Sequence, residues 1–131
     1  MKFHEDDRAQ RIIDIFNLND KQINISVVNS TDHISGLHMH KYRTEFFYCI
    51  KGSFKVFLGT DKVPDPFARF DYISDKNPCK FIHVPLYVYH GYKALEPNSI
   101  IMYYMNKKYD INDEFKVKPR HFNEIWETES K

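Results

Sequence analysis

Short apolar or alternating stretches recur along this chain, and turn-forming residues separate them. Phe54, Val56 and Leu58 alternate with the polar Lys55, which is typical of a strand with one buried face. Residues 44–51 are nearly all apolar, which predicts a strand buried on both faces. Other short strands are predicted at residues 23–28, 37–40, 69–74, 80–85, 87–90 and 99–106. Strands this short and regularly spaced indicate an all-β sandwich or barrel, and we predict a double-sheet jelly roll.

The two ends of the chain and one internal stretch do not fit this strand pattern. Residues 8–18 could form a helix or a strand, because their apolar side chains satisfy both spacings. Residues 59–67 contain two prolines, which cannot sit in a central strand, so a loop is expected there. Residues 112–131 are polar and are predicted to form a short C-terminal helix or arm. No internal repeat or linker is evident, which favours one domain over residues 1–131.

Bulk composition narrows the class of protein. A chain of 131 residues with 42% hydrophobic content is long enough for one real core. Aromatic residues make up 16% of the chain, which suits strands and a lined pocket better than a helical bundle. With 19 basic and 18 acidic residues and no polybasic block, neither a nucleic-acid surface nor a membrane surface is indicated.

Cysteine usage and the N-terminal residues bear on cellular location. Cys49 and Cys79 do not make a disulfide framework, and Cys49 lies in an apolar run that predicts a small core residue. The N-terminal sequence MKFHEDDRAQ is charged and lacks the apolar stretch of a signal peptide. No segment approaches the roughly 18 apolar residues needed to span a bilayer. We therefore expect a cytoplasmic protein with reduced thiols.

The strongest candidate for a functional site is the sequence His38-Met39-His40, followed by Glu45. Side chains on a strand alternate with period two, so both histidines point to the same face. Glu45 can return to the same place from the following strand, and another histidine ends a proline-led strand downstream. The resulting three-histidine, one-carboxylate set suits Fe, Mn, Ni or Zn and consists of His38, His40, Glu45 and His90. Histidine also suits the role of a base, since its ordinary pKa of about 6.5 lies near working pH.

These residues carry a resemblance to the cupin superfamily. The first cupin motif is HxH, four residues, a glutamate, six residues and a glycine, and this chain meets that spacing in full with His38, His40, Glu45 and Gly52. The second motif, PxGxxH, is similar to residues 85–90, with Tyr87 in place of the glycine. The resemblance implies a double-stranded β-helix, which is the cupin form of the jelly roll.

Two groups of cupins resemble longer parts of the chain. Residues 22–26 (QINIS) and 36–38 (GLH) resemble the QxNxS and RGLHxQ signature of the dTDP-4-dehydrorhamnose 3,5-epimerases. Residues 85–92 (PLYVYHGY) are similar to PxGFAHGF of that family, and residues 99–110 are similar to its FLYKxTxxY. Residues 36–58 resemble the GxHAHK and CLxGSxxVxL motifs of the small dTDP-sugar 3,4-ketoisomerases.

The chain departs from the epimerase pattern at positions that contact substrate in that family. Ser35 stands where the epimerases place an arginine that holds the nucleotide phosphates. Glu45 and Tyr48 stand where a lysine and an arginine usually follow. The epimerase aspartate that pairs with the catalytic histidine would fall after Lys131.

The resemblance implies an isomerase acting on a nucleotide-linked 4-keto-6-deoxy sugar, as a 3,5-epimerase or a 3,4-ketoisomerase, in surface polysaccharide biosynthesis. Removal of a proton next to the ketone gives an enolate, and reprotonation then inverts the carbon or moves the ketone. We expect His38 to act as the base and His40 to orient it or act as a second base. Tyr103 falls on the family's catalytic tyrosine and is the expected acid. Substrate contacts are expected from Glu45, Tyr48, Tyr87, His90 and Tyr109.

Three functional hypotheses stay open at this point. The first is the isomerase, which needs no cofactor, binds a nucleotide sugar and forms a homodimer, since relatives pair through their sheets. The second is a metal-dependent cupin enzyme that holds a divalent metal such as Fe, Mn, Ni or Zn through the three histidines and Glu45. The third is a non-catalytic sugar-binding cupin. None of the three calls for nucleic acid or a membrane as a partner.

Overall fold

The computed structural model describes residues 1–62 and 64–116, and their regular structure is mostly β-strand. The strands in chain order are β1 (Lys2–Glu5), β2 (Ala9–Ile13), β3 (Gln22–Val28), β4 (Ile34–Met39), β5 (Glu45–Lys51), β6 (Ser53–Gly59), β7 (Arg69–Ser74), β8 (Ile82–Val84), β9 (Tyr89–Ala94), β10 (Ser99–Met105) and β11 (Phe115–Lys116). Two 3₁₀ turns lie at Ile15–Asn17 and Ile111–Asp113. Within the described ranges, no helix has the length and apolar character that crossing a membrane requires.

The strands form two sheets with antiparallel pairing. One sheet has six strands in the order β1-β2-β3-β10-β5-β8, and the other has five in the order β11-β4-β9-β6-β7. Strands distant in the chain lie side by side in both sheets, as with β3 beside β10 and β4 beside β9. Such crossovers between two facing sheets characterise a jelly roll. The predicted double-sheet fold is therefore confirmed.

Alternating burial along the strands defines the core between the sheets. On β5 the side chains of Glu45, Phe47 and Cys49 are buried, whereas Phe46 and Tyr48 between them are only half-buried. The prediction that this strand is buried on both faces is therefore wrong. Its outward side chains are apolar because they pack along the outer face of the sheet, where the Phe46 ring stacks on His83 at 4.7 Å between centroids.

The predicted role of Cys49 as a small core residue is confirmed, since the side chain is 2% exposed. Burial raises the pKa of the Cys49 thiol to about 11, so it stays protonated and unreactive. Fully buried neighbours from both sheets complete the core, including Phe54, Val56, Ile73 and Ile101. Burying each such side chain contributes about 1.5–3 kcal/mol of stability.

Several element boundaries differ from the prediction. The ambiguous N-terminal stretch is a strand to Ile13 followed by a 3₁₀ turn, because Asp14 takes a left-handed conformation that ends the strand. The histidine strand begins at Ile34, three residues earlier than predicted, and the strand containing His90 continues to Ala94. The predicted C-terminal helix or arm lies largely outside the described residues.

Two positions of the cupin-like motifs have a left-handed backbone. Gly52 has a φ of 79° in the turn between β5 and β6, and a Cβ atom there would collide with Ser99. Tyr87, which replaces the glycine of the second motif, has a φ of 66°. Its backbone N–H donates to the carbonyl oxygen of His40 at 2.8 Å. The tyrosine thus keeps a conformation that favours glycine, and it ties the segment before β9 to the end of β4.

Candidate active site

A cavity of about 760 Å³ lies between the two sheets. Both sheets contribute to its wall, through strands that include β3, β5 and β10 on one side and β4 and β9 on the other. The structure brings most of the predicted site residues to this cavity, namely His38, His40, Glu45, His90, Tyr103 and Tyr109. A pocket of this size holds a small organic ligand.

Two predicted substrate contacts, Tyr48 and Tyr87, lie elsewhere. Tyr48 belongs to the outward-facing set of β5, and its hydroxyl donates to the carbonyl oxygen of Pro78 at 2.9 Å. Tyr87 lies in the loop before β9 with 61% of its surface exposed. Neither residue is part of the cavity wall in the described part of the chain. We therefore assign neither of them a contact with a ligand in this cavity.

His40, Glu45 and His90 form a buried cluster in the cavity wall, with side chains only 3–6% exposed. The two carboxylate oxygens of Glu45 lie 3.4 Å from Nε2 of His40 and 3.5 Å from Nε2 of His90. Nδ1 of His40 bonds to the carbonyl oxygen of Asp113 at 2.7 Å, and Nδ1 of His90 bonds to that of Val88 at 3.1 Å. A carbonyl oxygen only accepts, so both Nδ1 atoms carry protons and donate. When the His40 ring is neutral, its Nε2 is then the unprotonated nitrogen.

Arg43 completes this cluster. The sequence predicts a solvated surface charge at this position, yet the residue is only 6% exposed. Its Nε donates to Oε2 of Glu45 at 3.0 Å, and its Nη2 donates to Nε2 of His40 at 3.2 Å. Burial raises the pKa of Glu45, but hydrogen bonding and charge from His90 together with the positive charge of Arg43 outweigh it and lower that pKa to about 2. Glu45 is therefore a carboxylate at any working pH.

His38 occupies a separate and more open position in the cavity wall, with 27% of its side chain exposed. Its Nε2 lies 3.6 Å from Oε1 of Glu114, whose other oxygen accepts a hydrogen bond from the Tyr109 hydroxyl at 3.1 Å. Burial lowers the pKa of His38 to about 4; the nearby His90 adds to this, and Glu114 opposes it. His38 is consequently neutral near pH 7 and able to accept a proton.

Glu114 was missed by the sequence analysis, as was its neighbour Asp113. The Asp113 carboxylate accepts hydrogen bonds from the backbone N–H groups of Lys41 at 2.7 Å and Tyr42 at 3.1 Å. The carbonyl oxygen of Asp113 accepts the hydrogen bond from Nδ1 of His40. Both acidic residues precede β11, which pairs with β4 so that Lys116 lies opposite His38. No spacing rule connects an acidic pair to histidines about seventy residues earlier, so only the fold reveals this contact.

Tyr103 reaches the cavity from the opposite sheet to His38. It lies on β10 between Asn24 of β3 and Phe47 of β5, and its ring meets the Phe47 ring edge-on at 6.0 Å. The residue is half-buried and its side chain packs against the core. An imidazole and a phenol from opposite walls thus line one cavity, an arrangement that suits an acid and a base acting on two sides of a bound molecule.

The buried cluster also has part of the character of a metal centre. One ligand atom from each of His40, Glu45 and His90 lies within 4.8 Å of the others. His38, which was the fourth member of the predicted metal set, faces Glu114 instead. Arg43 already donates to two of the three groups, and a divalent cation would have to displace it.

The fold and the site together define a cupin, a jelly roll with a histidine cluster inside its cavity. A family model described as dTDP-4-dehydrorhamnose 3,5-epimerase, of the dTDP-sugar isomerases, matches residues 1–126. The chain therefore belongs to this family, and its resemblance to these epimerases is confirmed. No curated protein matches the chain.

Several solved structures have a similar fold. The capsular polysaccharide assembling protein CapF from Staphylococcus aureus is similar with a TM-score of 0.77, at 18% identity over 89% of this chain and 31% of that chain. KdgF from Halomonas sp. has a TM-score of 0.66, at 20% identity over 84% of this chain and 91% of that chain. A variant of oxalate decarboxylase OxdC from Bacillus subtilis has a TM-score of 0.70, at 16% identity over 88% and 30%. This chain spans about a third of CapF, and these likenesses show the fold alone.

Proposed function

We propose that this protein is an isomerase of a nucleotide-linked 4-keto-6-deoxy sugar, of the 3,5-epimerase or 3,4-ketoisomerase type. The observation that carries the proposal is the position of His38, paired with Glu114, in the same cavity as Tyr103 from the opposite sheet. Family membership supports the same class of reaction. In this proposal the protein works in the cytoplasm as a homodimer and serves surface polysaccharide synthesis.

The proposed reaction begins with proton transfer from a carbon next to the ketone to His38. Glu114 lies beside Nε2, which leaves Nδ1 to accept the proton. The C–H electron pair forms a C=C bond and the carbonyl π pair moves to the ketone oxygen, which gives an enolate, while the Glu114 carboxylate stabilises the new imidazolium. The Tyr103 hydroxyl then donates a proton to the enolate from the other wall and becomes a phenolate. The imidazolium releases its proton to solvent and the phenolate takes one up, which restores both groups.

The remaining cavity residues bind and orient the substrate in this proposal. Tyr109 is half exposed and holds Glu114 through its hydroxyl, so it can contact the sugar and position the carboxylate together. His40 and His90 line the cavity wall as members of the buried cluster. Glu45 acts through these neighbours, because its oxygens face Arg43 and the two imidazoles.

Solvent exchange tests the proposed chemistry directly. Incubating the protein with a dTDP-4-keto-6-deoxy sugar in deuterium oxide is expected to place deuterium on a carbon next to the ketone, as read by mass spectrometry and proton NMR. The Tyr48→Phe variant is a matched control with full exchange expected, because Tyr48 faces away from the cavity. Folded protein that binds the sugar without exchange would identify a sugar-binding cupin instead.

The pH dependence of this exchange should reflect the lowered pKa of His38. Since burial lowers that pKa from 6.5 to about 4, the base form persists as pH falls through 6, and kcat/KM should decline only near pH 4. The lowered pKa of His38 also reduces the free energy of unfolding as pH falls from 6.5 toward 4, because His38 binds its proton at a higher pH in the unfolded chain than in the folded protein. Circular dichroism at each pH separates unfolding from titration. A decline centred near pH 6.5 in folded protein would show that the pKa of the base is not lowered by burial, which contradicts this prediction.

A further inference from the structure

The buried position of Arg43 is not explained by the proposed acid and base. Arginine is almost never fully buried unless it is paired, and here its partners are Glu45 and His40. Its Nη1 is buried with no hydrogen-bond partner among the described residues. The Tyr109 ring lies over its face, with its centroid 5.5 Å from the guanidinium carbon. The guanidinium thus donates hydrogen bonds to Glu45 and His40, which are two of the three residues with metal-ligating geometry.

The hydrogen-bond pattern shows why a metal and this arginine compete for the same electrons. An imidazole nitrogen that lacks a proton has a single lone pair. Nδ1 of His40 donates to Asp113, so Nε2 holds that lone pair, and it already accepts from Nη2 of Arg43. Oε2 of Glu45 likewise accepts from Nε of Arg43. A metal ion would need the lone pair of Nε2 of His40 as a ligand, and beside Oε2 of Glu45 it would meet the guanidinium.

Charge acts in the same direction. Glu45 is the one carboxylate of the cluster, and the positive charge of Arg43 neutralises it. A divalent cation entering beside Arg43 would add two positive charges to a buried site that has a single negative one. Displacing the guanidinium would instead leave a buried cation without a partner, which is strongly unfavourable.

We propose that Arg43 is a built-in cation that occupies the His40, Glu45 and His90 cluster and excludes divalent metals from it. In this proposal Arg43 keeps the cavity free of metal, although the histidines and the glutamate of the cluster have the spacing of metal ligands. Removing the guanidinium while keeping the three other side chains is expected to uncover a site that binds Zn²⁺ or Co²⁺. The inference concerns binding alone and stands or falls independently of the isomerase reaction.

Metal titration of the full chain tests this inference without substrate. After treatment with a chelator, wild type and Arg43→Met are titrated with Zn²⁺ by calorimetry and with Co²⁺ by visible absorption, which reports tetrahedral ligands. Arg43→Met is expected to bind one ion on the order of 100-fold more tightly than wild type. Arg43→Lys, which keeps a cation, is expected to behave as wild type. Adding Glu45→Gln to Arg43→Met is expected to abolish the new binding.

Each outcome decides the inference. Stoichiometric binding by wild type that Glu45→Gln abolishes would overturn it, and so would a folded Arg43→Met protein that binds no more tightly than wild type. Weak wild-type binding that survives Glu45→Gln belongs to other histidines and supports it. If Arg43→Met is unfolded without metal, recovery of its circular dichroism spectrum on adding Zn²⁺ supports the inference, and failure of both ions to restore folding contradicts it.

Discussion

Replacing His38 with glutamine is expected to slow deuterium exchange by about 10²–10⁴-fold while the protein stays folded. The glutamine amide has a similar reach but cannot accept a proton at working pH, so it removes the proposed base and little else. His38 is partly exposed and lies outside the buried cluster, so its replacement leaves no buried charge unpaired. Exchange rates at saturating sugar, with circular dichroism for folding, provide the measurement.

The Glu114→Gln variant separates a positioning role from a structural one. Glu114 touches His38 at 3.6 Å and acts through it, so the variant should lower kcat with little change in KM. It should also move the acid limb of the pH profile further down, because the carboxylate is the group that raises the pKa of His38. Wild-type exchange in a folded His38→Gln protein would remove His38 from the mechanism and leave Tyr103 to be tested as the base.

Replacing Glu45 with alanine is expected to lower the free energy of unfolding by about 3–5 kcal/mol. The buried Arg43 would lose its charged acceptor, and the two imidazoles would face a space from which the carboxylate is gone. Urea denaturation followed by far-UV circular dichroism measures this loss, and an unchanged slope against urea would attribute it to stability alone.

The matched control is the double variant Arg43→Met with Glu45→Leu. Replacing both charged partners by apolar side chains of similar volume avoids the unpaired charge, so most of the lost stability should return. Two results would contradict a stabilising role of the ion pair between Arg43 and Glu45. One is a single variant as stable as wild type, and the other is a double variant less stable than the single one.

The fold and the histidine pair could be predicted from the sequence because both depend on local periodicity. Alternation with period two marks the strands, and the same rule puts His38 and His40 on one face. That rule also excludes Tyr48, which was nevertheless predicted as a substrate contact. Tyr48 lies three positions after Glu45 on the same strand, and an odd separation puts the two side chains on opposite faces.

The rest of the site depends on contacts that no local pattern encodes. Glu114 reaches His38 only because β11 pairs with β4, and that pairing brings together residues about seventy positions apart. Arg43 reads as an ordinary surface charge in the sequence, and its burial follows from the turn between β4 and β5, which Asp113 fixes through two backbone N–H groups. The shared motif spacing therefore predicted the ligand-like residues but not the cation that accompanies them.

The short 3₁₀ turn before β11 links the two halves of the site. Asp113 fixes the tautomer of His40 through its carbonyl oxygen, and the next residue, Glu114, faces His38. Two consecutive residues thus contact the two imidazoles, so a backbone shift at one contact also moves the other. Inserting one residue into this turn would displace both contacts, the one between Glu114 and His38 and the one between Asp113 and His40. One insertion would therefore change the surroundings of both histidines in the cavity.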